Sequence, residues 1–395
     1  MRVVIHATPL AGQRTGVGHY TAELIRAVAA TGQVRVSIYP RPALAKVRVW
    51  FRGGPRPVDP ATGANARRPL WRRILRVPFR WGWRAMIETE ARLAFHPRRV
   101  DLYHEPNFFP LRTRLPTVVT VHDLSAVLHP EWHPADRVKL FETDFLPRIR
   151  DVAHILTDSD HARDEIIRTL NVPPDRVTRA YPGVRPSLRP LPATAVSRVL
   201  DRLGLPPKYF LHVGTLEPRK NLLMLLKAYT AIPPELREQC PLVLVGPWGW
   251  RFDELAGYFD TEARHRNVIH LGYVDEGDLA AVYNGAEALV FPTWYEGFGL
   301  PAAEMLACGG AVIASNDGAV AEVLGPCGIR IDPADEGGWR DAMIRAVREP
   351  DSVAAMRTGG VERARAFTWA NCAQDTIDGY SAALNSNRRT VSGRS

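Results

Sequence analysis

Short apolar runs of strand length, each closed by a polar or glycine loop and followed by a helix-forming segment, recur along this chain and leave few architectures open. RVVIHA, VRVSIYP, VDLYHEPNFFP, PTVVTVHDL and AHILTDSDHARDEIIRTL make a first series, and YFLHVGT, PLVLVGP, NVIHLGYV, ALVFP and AVIAS a second. Such alternation predicts parallel, doubly wound α/β sheets, one per series. Between the two series, the proline-rich connector RPSLRPLPATAVSR at residues 185–198 is the best boundary in the chain. The expected division is a Rossmann-like domain over 1–185, a linker over 186–205 and a second domain from 206 to 368. With 395 residues and 46% hydrophobic content, the chain can fill two cores. A ligand held between two such sheets meets the loops at the carboxyl ends of the strands.

The densest chemistry lies at residues 291–310, FPTWYEGFGLPAAEMLACGG. Leu289, Val290 and Phe291 suit a buried strand; Gly297 and Gly299 allow a tight turn, and Pro301 opens a helix that Gly309 and Gly310 stop. Free amides at that helix start, with the helix dipole, favour an anion such as phosphate. Glu304, one turn inside, and Glu296, in the turn, are better suited to accept hydrogen bonds from hydroxyls. An anion flanked by hydroxyls is the outline of a sugar nucleotide. The plainer reading is a helix start with two solvated glutamates.

Elsewhere the strand ends carry further polar groups. In GTLEPRKNL, Arg219 and Lys220 precede a helix and could bind a diphosphate leaving group, with Gly214 in the same sheet. In the first series, Gly16 and Gly18 accompany a β-turn-α opening; His104, Glu105 and Asn107 end one strand, and His122 and Asp123 another. The apolar run TVVTV delivers His122 to a strand end, where a core histidine is hard to satisfy, so a functional role is expected. Asp158, Ser159 and His161 read as structural, with Ser159 or Asp160 capping a helix.

A formal charge of +9 implies an anionic partner: nucleic acid, an anionic membrane or a phosphorylated substrate. Residues 67–84, RRPLWRRILRVPFRWGWR, hold seven arginines and no acid. Projected as a helix, Arg68, Arg72, Arg76, Arg80 and Arg84 line one side and Leu70, Trp71, Ile74, Val77 and Trp81 the other, interrupted by Pro78. That is the pattern of an interfacial membrane helix, or of a core helix with a solvated basic back. No apolar run reaches spanning length, MRVVIHATPL is too short for a signal peptide, and 387–395 reads as a disordered tail. Four cysteines without metal-ligand spacing suit a reduced cytosol.

Glu296 and Glu304, separated by seven residues with GFGLP between, resemble the E-x7-E signature of glycosyltransferase family 4, retaining enzymes of the two-domain GT-B fold. The likeness extends over nearly the whole chain. His122 matches the family histidine beside the donor sugar; Lys220 fits the family lysine, while Thr215 stands where an arginine is usual, leaving Arg219 as its substitute. The resemblance implies donor contacts at Gly214, Thr215, Gly272, Tyr273, Val274, Gly297, Phe298, Gly299, Leu300 and Glu304, with the nucleobase against Gly272 to Val274, although Tyr273 could equally be packing. Gly16, Gly18, His19, His104, Glu105, Asn107 and Asp123 fall on the acceptor side. FTWANCAQDTIDGYSAAL resembles the GT-B closing helix, over 369–386. The catalytic set implied is Glu296, His122, Arg219 and Lys220, with no metal or cofactor and a departing phosphate that itself takes the acceptor's proton. EPRKN resembles bacterial mannosyl- and rhamnosyltransferases, so GDP-mannose is the expected donor and a glycan or lipid-linked acceptor at the inner membrane surface the expected partner. Competing readings are a two-carboxylate hydrolase, a GT-B sugar-nucleotide epimerase, and a non-catalytic nucleic-acid binder, for which no motif speaks.

Overall fold

The computed structural model describes residues 1–10, 16–40, 88–91, 95–96 and 98–392, the last six in backbone only. The arginine and tryptophan stretch at 67–84 lies outside the described residues. Strands β1 (Arg2–His6), β2 (Arg35–Tyr39), β3 (Leu102–Glu105), β4 (Thr117–Thr120), β5 (His154–Thr157) and β6 (Val177–Arg179) form one sheet in the order β2-β1-β3-β4-β5-β6. A second sheet, β12-β11-β10-β7-β8-β9, uses β7 (Phe210–Val213), β8 (Leu242–Val245), β9 (Val268–Gly272), β10 (Ala288–Phe291), β11 (Ala311–Ser315) and β12 (Ile329–Ile331). All pairings are parallel.

The central strands of the second sheet are covered on both faces, which is why β7, β8, β10 and β11 are apolar at nearly every position instead of alternating with polar residues. Leu211, Val243, Leu289, Phe291 and Val312 point into one layer. Their neighbours Phe210, Leu242, Leu244, Val290 and Ile313 point into the other. In the first sheet Val3, Ile5, Leu102, Val118 and Leu156 face a layer that includes Cys372, Ile377 and Tyr380 of the last helix, Trp369–Ser392. That helix returns to pack on the helix Gly16–Ala30 and on β4, β5 and β6.

Two boundaries differ from the sequence reading. The 186–205 segment contains a helix, Ala193–Leu203, whose Val196 and Leu200 join the second domain's core. Their i, i+4 spacing gives an apolar stripe behind the prolines that suggested a linker. The last helix also continues to Ser392, past the tail expected from 387, because no glycine or proline falls between Gly379 and Gly393. All four cysteines are free and buried. Among the described residues, no helix is long and apolar enough to cross a membrane.

Candidate active site

In the second sheet the chain runs from β7 to β8 and β9 in one direction, then returns to place β10 on the other side of β7. This reversal leaves a crevice beyond the carboxyl ends of β7 and β10, where ligands bind in open α/β sheets. The loop after β7 carries Gly214, Arg219 and Lys220; the loop after β10 carries Thr293, Tyr295 and Glu296. They meet. Glu296 Oε2 accepts from Arg219 Nη1 at 2.8 Å, and Oε1 accepts from Lys220 Nζ and from Thr293 Oγ1, the latter at 3.1 Å. Arg219 also donates to Glu217 at 2.9 Å and to the Tyr295 carbonyl at 2.8 Å.

Burial alone would push the Glu296 carboxyl up, but the charges of Arg219 and Lys220 overcome it and hold the group below the usual carboxylate range. Burial pulls the Lys220 ammonium down, as does Arg219, while Glu296 and Glu217 resist. Two cations and two carboxylates therefore balance locally, with donor capacity left over: Lys220 has three N–H groups and gives one to Glu296. Gly299, at φ 95°, turns the chain into the helix Leu300–Ala307, whose first amides face the same crevice end of the sheet.

The first domain closes over this loop. A Cβ on Gly297 would lie 1.7 Å from the His122 carbonyl oxygen, so only glycine permits that contact. Ser159 Oγ donates to the Gly297 carbonyl at 2.7 Å, and the same oxygen accepts from Ala162 as the cap of helix Asp160–Leu170. Glu322 accepts from the backbone amides of Asp160 and His161 at 2.8 and 2.9 Å.

Several expected residues hold other positions. Glu304, read as a ribose acceptor, is buried and held by Arg185 Nη2 on one oxygen and the Tyr283 hydroxyl on the other, each at 2.7 Å, and each oxygen keeps a second lone pair for a ligand hydroxyl. His122 lies beside the Glu296 turn, but its Nδ1 meets Asp158 at 2.7 Å and its Nε2 the Pro106 carbonyl at 3.0 Å. Both nitrogens are engaged, by the carboxyl and the carbonyl, so neither is free for a sugar; its approach to the Gly297 turn is through its backbone carbonyl. Burial lowers the His122 imidazole, but Asp158 outweighs burial and raises it. Asp158, read as structural, is thus the counterion of a site residue.

The acceptor-side group is corrected further by strand parity. Leu102 faces the last helix, so His104 does too: its nitrogens meet the Tyr380 hydroxyl at 2.7 Å and Thr120 Oγ1 at 2.9 Å, in a fully buried pocket. Glu105, on the opposite face with Tyr103, pairs with His6 and accepts from the Tyr103 hydroxyl at 2.9 Å. Both are internal pins and not acceptor ligands. Asn107 is partly exposed, and Asp123 accepts from Ser125 on one oxygen. Gly16 and Gly18 lie inside the first helix instead of before it, with Gly18 buried. His19, on that helix, comes within 3.9 Å of Glu276 in the second domain.

Among the donor-side candidates, Phe298 packs between Tyr181 and Phe367 and is buried, as is Val274. Leu300 leans on the same core. Tyr273 is 47% exposed, on the rim after β9, where Gly272 takes φ 69°. Thr215 sets its methyl against Gly249, whose added Cβ would approach it to 2.8 Å. Arg185, Tyr283 and Tyr295 were missed. Arg185 sat within the presumed boundary, and no local pattern around either tyrosine marks a polar role.

Two parallel Rossmann-like domains, with an anion-suited crevice on one and the other closed against it, define the GT-B architecture of glycosyltransferases. The comparisons agree. Residues 201–363 match the family described as Glycosyl transferases group 1, and residues 14–188 match Glycosyltransferase Family 4. The chain is 31% identical over 390 residues to O-antigen chain mannosyltransferase B of Escherichia coli, covering 96% of this chain and 99% of that one. It is 30% identical over 285 residues to the serotype-specific mannosyltransferase WbdA of Escherichia coli, covering 70% of this chain and 35% of that one. Among solved structures, HepE of Anabaena in complex with UDP and glucose superimposes with a TM-score of 0.70 at 16% identity, covering 97% of this chain and all of that one. The chain belongs to glycosyltransferase family 4, within a mannosyltransferase-like subgroup, and is a glycosyltransferase.

Proposed function

We propose that this enzyme moves mannose from GDP-mannose to a hydroxyl of a glycan or lipid-linked acceptor, with retention of anomeric configuration and without a metal ion. The observation that carries the reading is the joining of Arg219, Lys220 and Glu296 at the β7/β10 reversal. Charge that develops on a departing diphosphate is met there by Lys220, Arg219 and the start of helix Leu300–Ala307, the role a divalent cation fills in other glycosyltransferases. Both oxygens of Glu296 are tied to cations, which makes it a poor nucleophile and supports front-face departure, with the leaving phosphate taking the acceptor's proton. Glu304 sits in a separate network with Arg185 and Tyr283, so a hydrolase pairing of the two glutamates is disfavoured. Mannose is supported by the EPRKN sequence and by the likeness to mannosyltransferase B.

The test is to incubate the enzyme with GDP-mannose and candidate oligosaccharide acceptors, with and without a chelator, and to read the new linkage by NMR. An α-linked product, indifferent to chelation, is expected. A β-linked product, free mannose released faster than transfer, or donor epimerised without acceptor would each overturn the reading. A thermal-shift panel of nucleoside diphosphates decides the base, since a ligand stabilises the native state it binds. The membrane location rests on the sequence of 67–84: anionic liposomes should pellet the enzyme in a salt-sensitive way. Changing Arg72, Arg76, Arg80 and Arg84 together to glutamine should reduce it greatly. Undiminished binding of a folded variant would remove the membrane from the proposal.

A further inference from the structure

Glu296 reaches back into its own domain, whereas the residues on either side of it reach into the other. Gly297 is pressed against the His122 carbonyl and accepts from Ser159. On the other side the Tyr295 phenol accepts from the Leu124 amide at 3.0 Å and donates to the Glu165 carboxylate, both groups of the first domain. Its ring packs beside His129 and Trp132, and it is only 5% exposed. The same residue's carbonyl accepts from Arg219 at 2.8 Å and from Thr293 at 3.0 Å. One residue thus has its main chain in the cation cluster and its side chain seated in the opposite domain.

We propose that Tyr295 is a positioning residue for sugar transfer: its phenol, bound between Leu124 and Glu165, sets the adjacent Glu296 relative to the acceptor side when the two domains meet. The hydrogen bonds it makes join the second domain to Leu124 and Glu165 of the first, so they require the two domains to be in contact. Burial, with Asp123 and Glu165 nearby, holds the phenol far above its ordinary range, so it stays a neutral donor. The inference rests on Glu296 being the sugar-side carboxylate. Glu296→Gln tests that premise separately, since it changes the carboxylate without touching the contacts of the Tyr295 phenol.

Tyr295→Phe retains the ring and removes both hydrogen bonds. The transfer kcat should fall about 10- to 100-fold, the scale of a buried hydrogen bond to a charged group, while nucleoside-diphosphate binding and donor KM change less than about threefold. Acceptor-independent hydrolysis of the donor should fall less than transfer, because donor contacts persist while alignment to the acceptor is lost. Glu165→Gln, which keeps an acceptor, should lie between the parent and Glu165→Ala. The Tyr295→Phe/Glu165→Ala double variant should be no worse than Tyr295→Phe alone, as both cut one interaction. Parental turnover in Tyr295→Phe, equal loss of donor binding and turnover, or additive losses in the double variant would overturn the proposal. If Tyr295→Phe does not fold, the two Glu165 variants decide: parental turnover in both overturns it.

Discussion

The loops after β7 and β10 and the strand ends of β3 and β4 use similar residue types and do different work. On the second domain, Arg219, Lys220 and Glu296 lie beyond the strand ends, on loops that converge where the sheet reverses direction. Their ionic pairing leaves lysine N–H groups for a ligand. On the first domain, His104 and Glu105 are still within β3, so each is committed to one face of the sheet and to a partner buried there. Their hydrogen-bonding capacity is spent on Thr120, Tyr380, His6 and Tyr103. A polar residue one position short of a strand's end is part of a layer; a few positions later it belongs to the cleft. His122 is intermediate, past β4 yet held by Asp158 and the Pro106 carbonyl.

The contrast breaks first at the cation cluster. Glu296→Gln and Lys220→Ala should each reduce transfer by roughly 100- to 1,000-fold, the scale of removing one stabilising group of ~2.7–4 kcal/mol at a reacting centre, with thermal unfolding retained. A folded variant with near-parental turnover would show that this cluster too is structural.

On the other side, His104 should affect stability and its pH dependence, not turnover. Burial, aided by the positive His122, lowers its imidazole to about 3, against ~6.5 in the unfolded chain. Between those values the unfolded chain binds a proton that the folded chain does not, so the contribution is complete above ~6.5 and lost as pH falls toward 3. His133, His154 and His212, each lowered to about 4 with burial as the main cause, act in the same direction. His104→Gln should flatten urea-derived stability against pH by up to one proton in this window, with donor KM unchanged. An identical slope would mean that His104 is not held neutral, and a large change in KM would return it to the substrate side.

The smallest effect sharpens the comparison within the second domain. Glu304→Gln should raise donor KM several-fold, up to about tenfold, and leave kcat within about threefold, as for a group whose interactions are alike in ground and transition states. A fall in kcat on the scale of Glu296→Gln would instead place Glu304 and its partner Arg185 among the groups that act on the reacting charge.

Local chemistry was enough to read much of this molecule. Strand-length apolar runs separated by helix-forming segments require covered parallel sheets, and the turn around Gly297 and Gly299 announces itself by glycines, a following proline and two carboxylates. Ser159 as a helix cap was equally legible, since a cap acts within three residues. The helix Ala193–Leu203 was hidden behind its prolines, and the glutamate-binding role of Arg185 depends on a partner 119 residues away.

The sequence by itself determined the order of elements, the division into two domains and the stretch that carries Glu296, because each depends on periodicity and on residues a few positions apart. Tertiary structure decided which polar groups stay available. Strand parity and the returning helix turned His104 inward, Asp158 claimed His122, and the meeting of the domains set the Tyr295 phenol between Leu124 and Glu165. Those outcomes depend on which sheet face is covered and on bonds between residues 36 to 276 positions apart, and no local pattern encodes such a pairing.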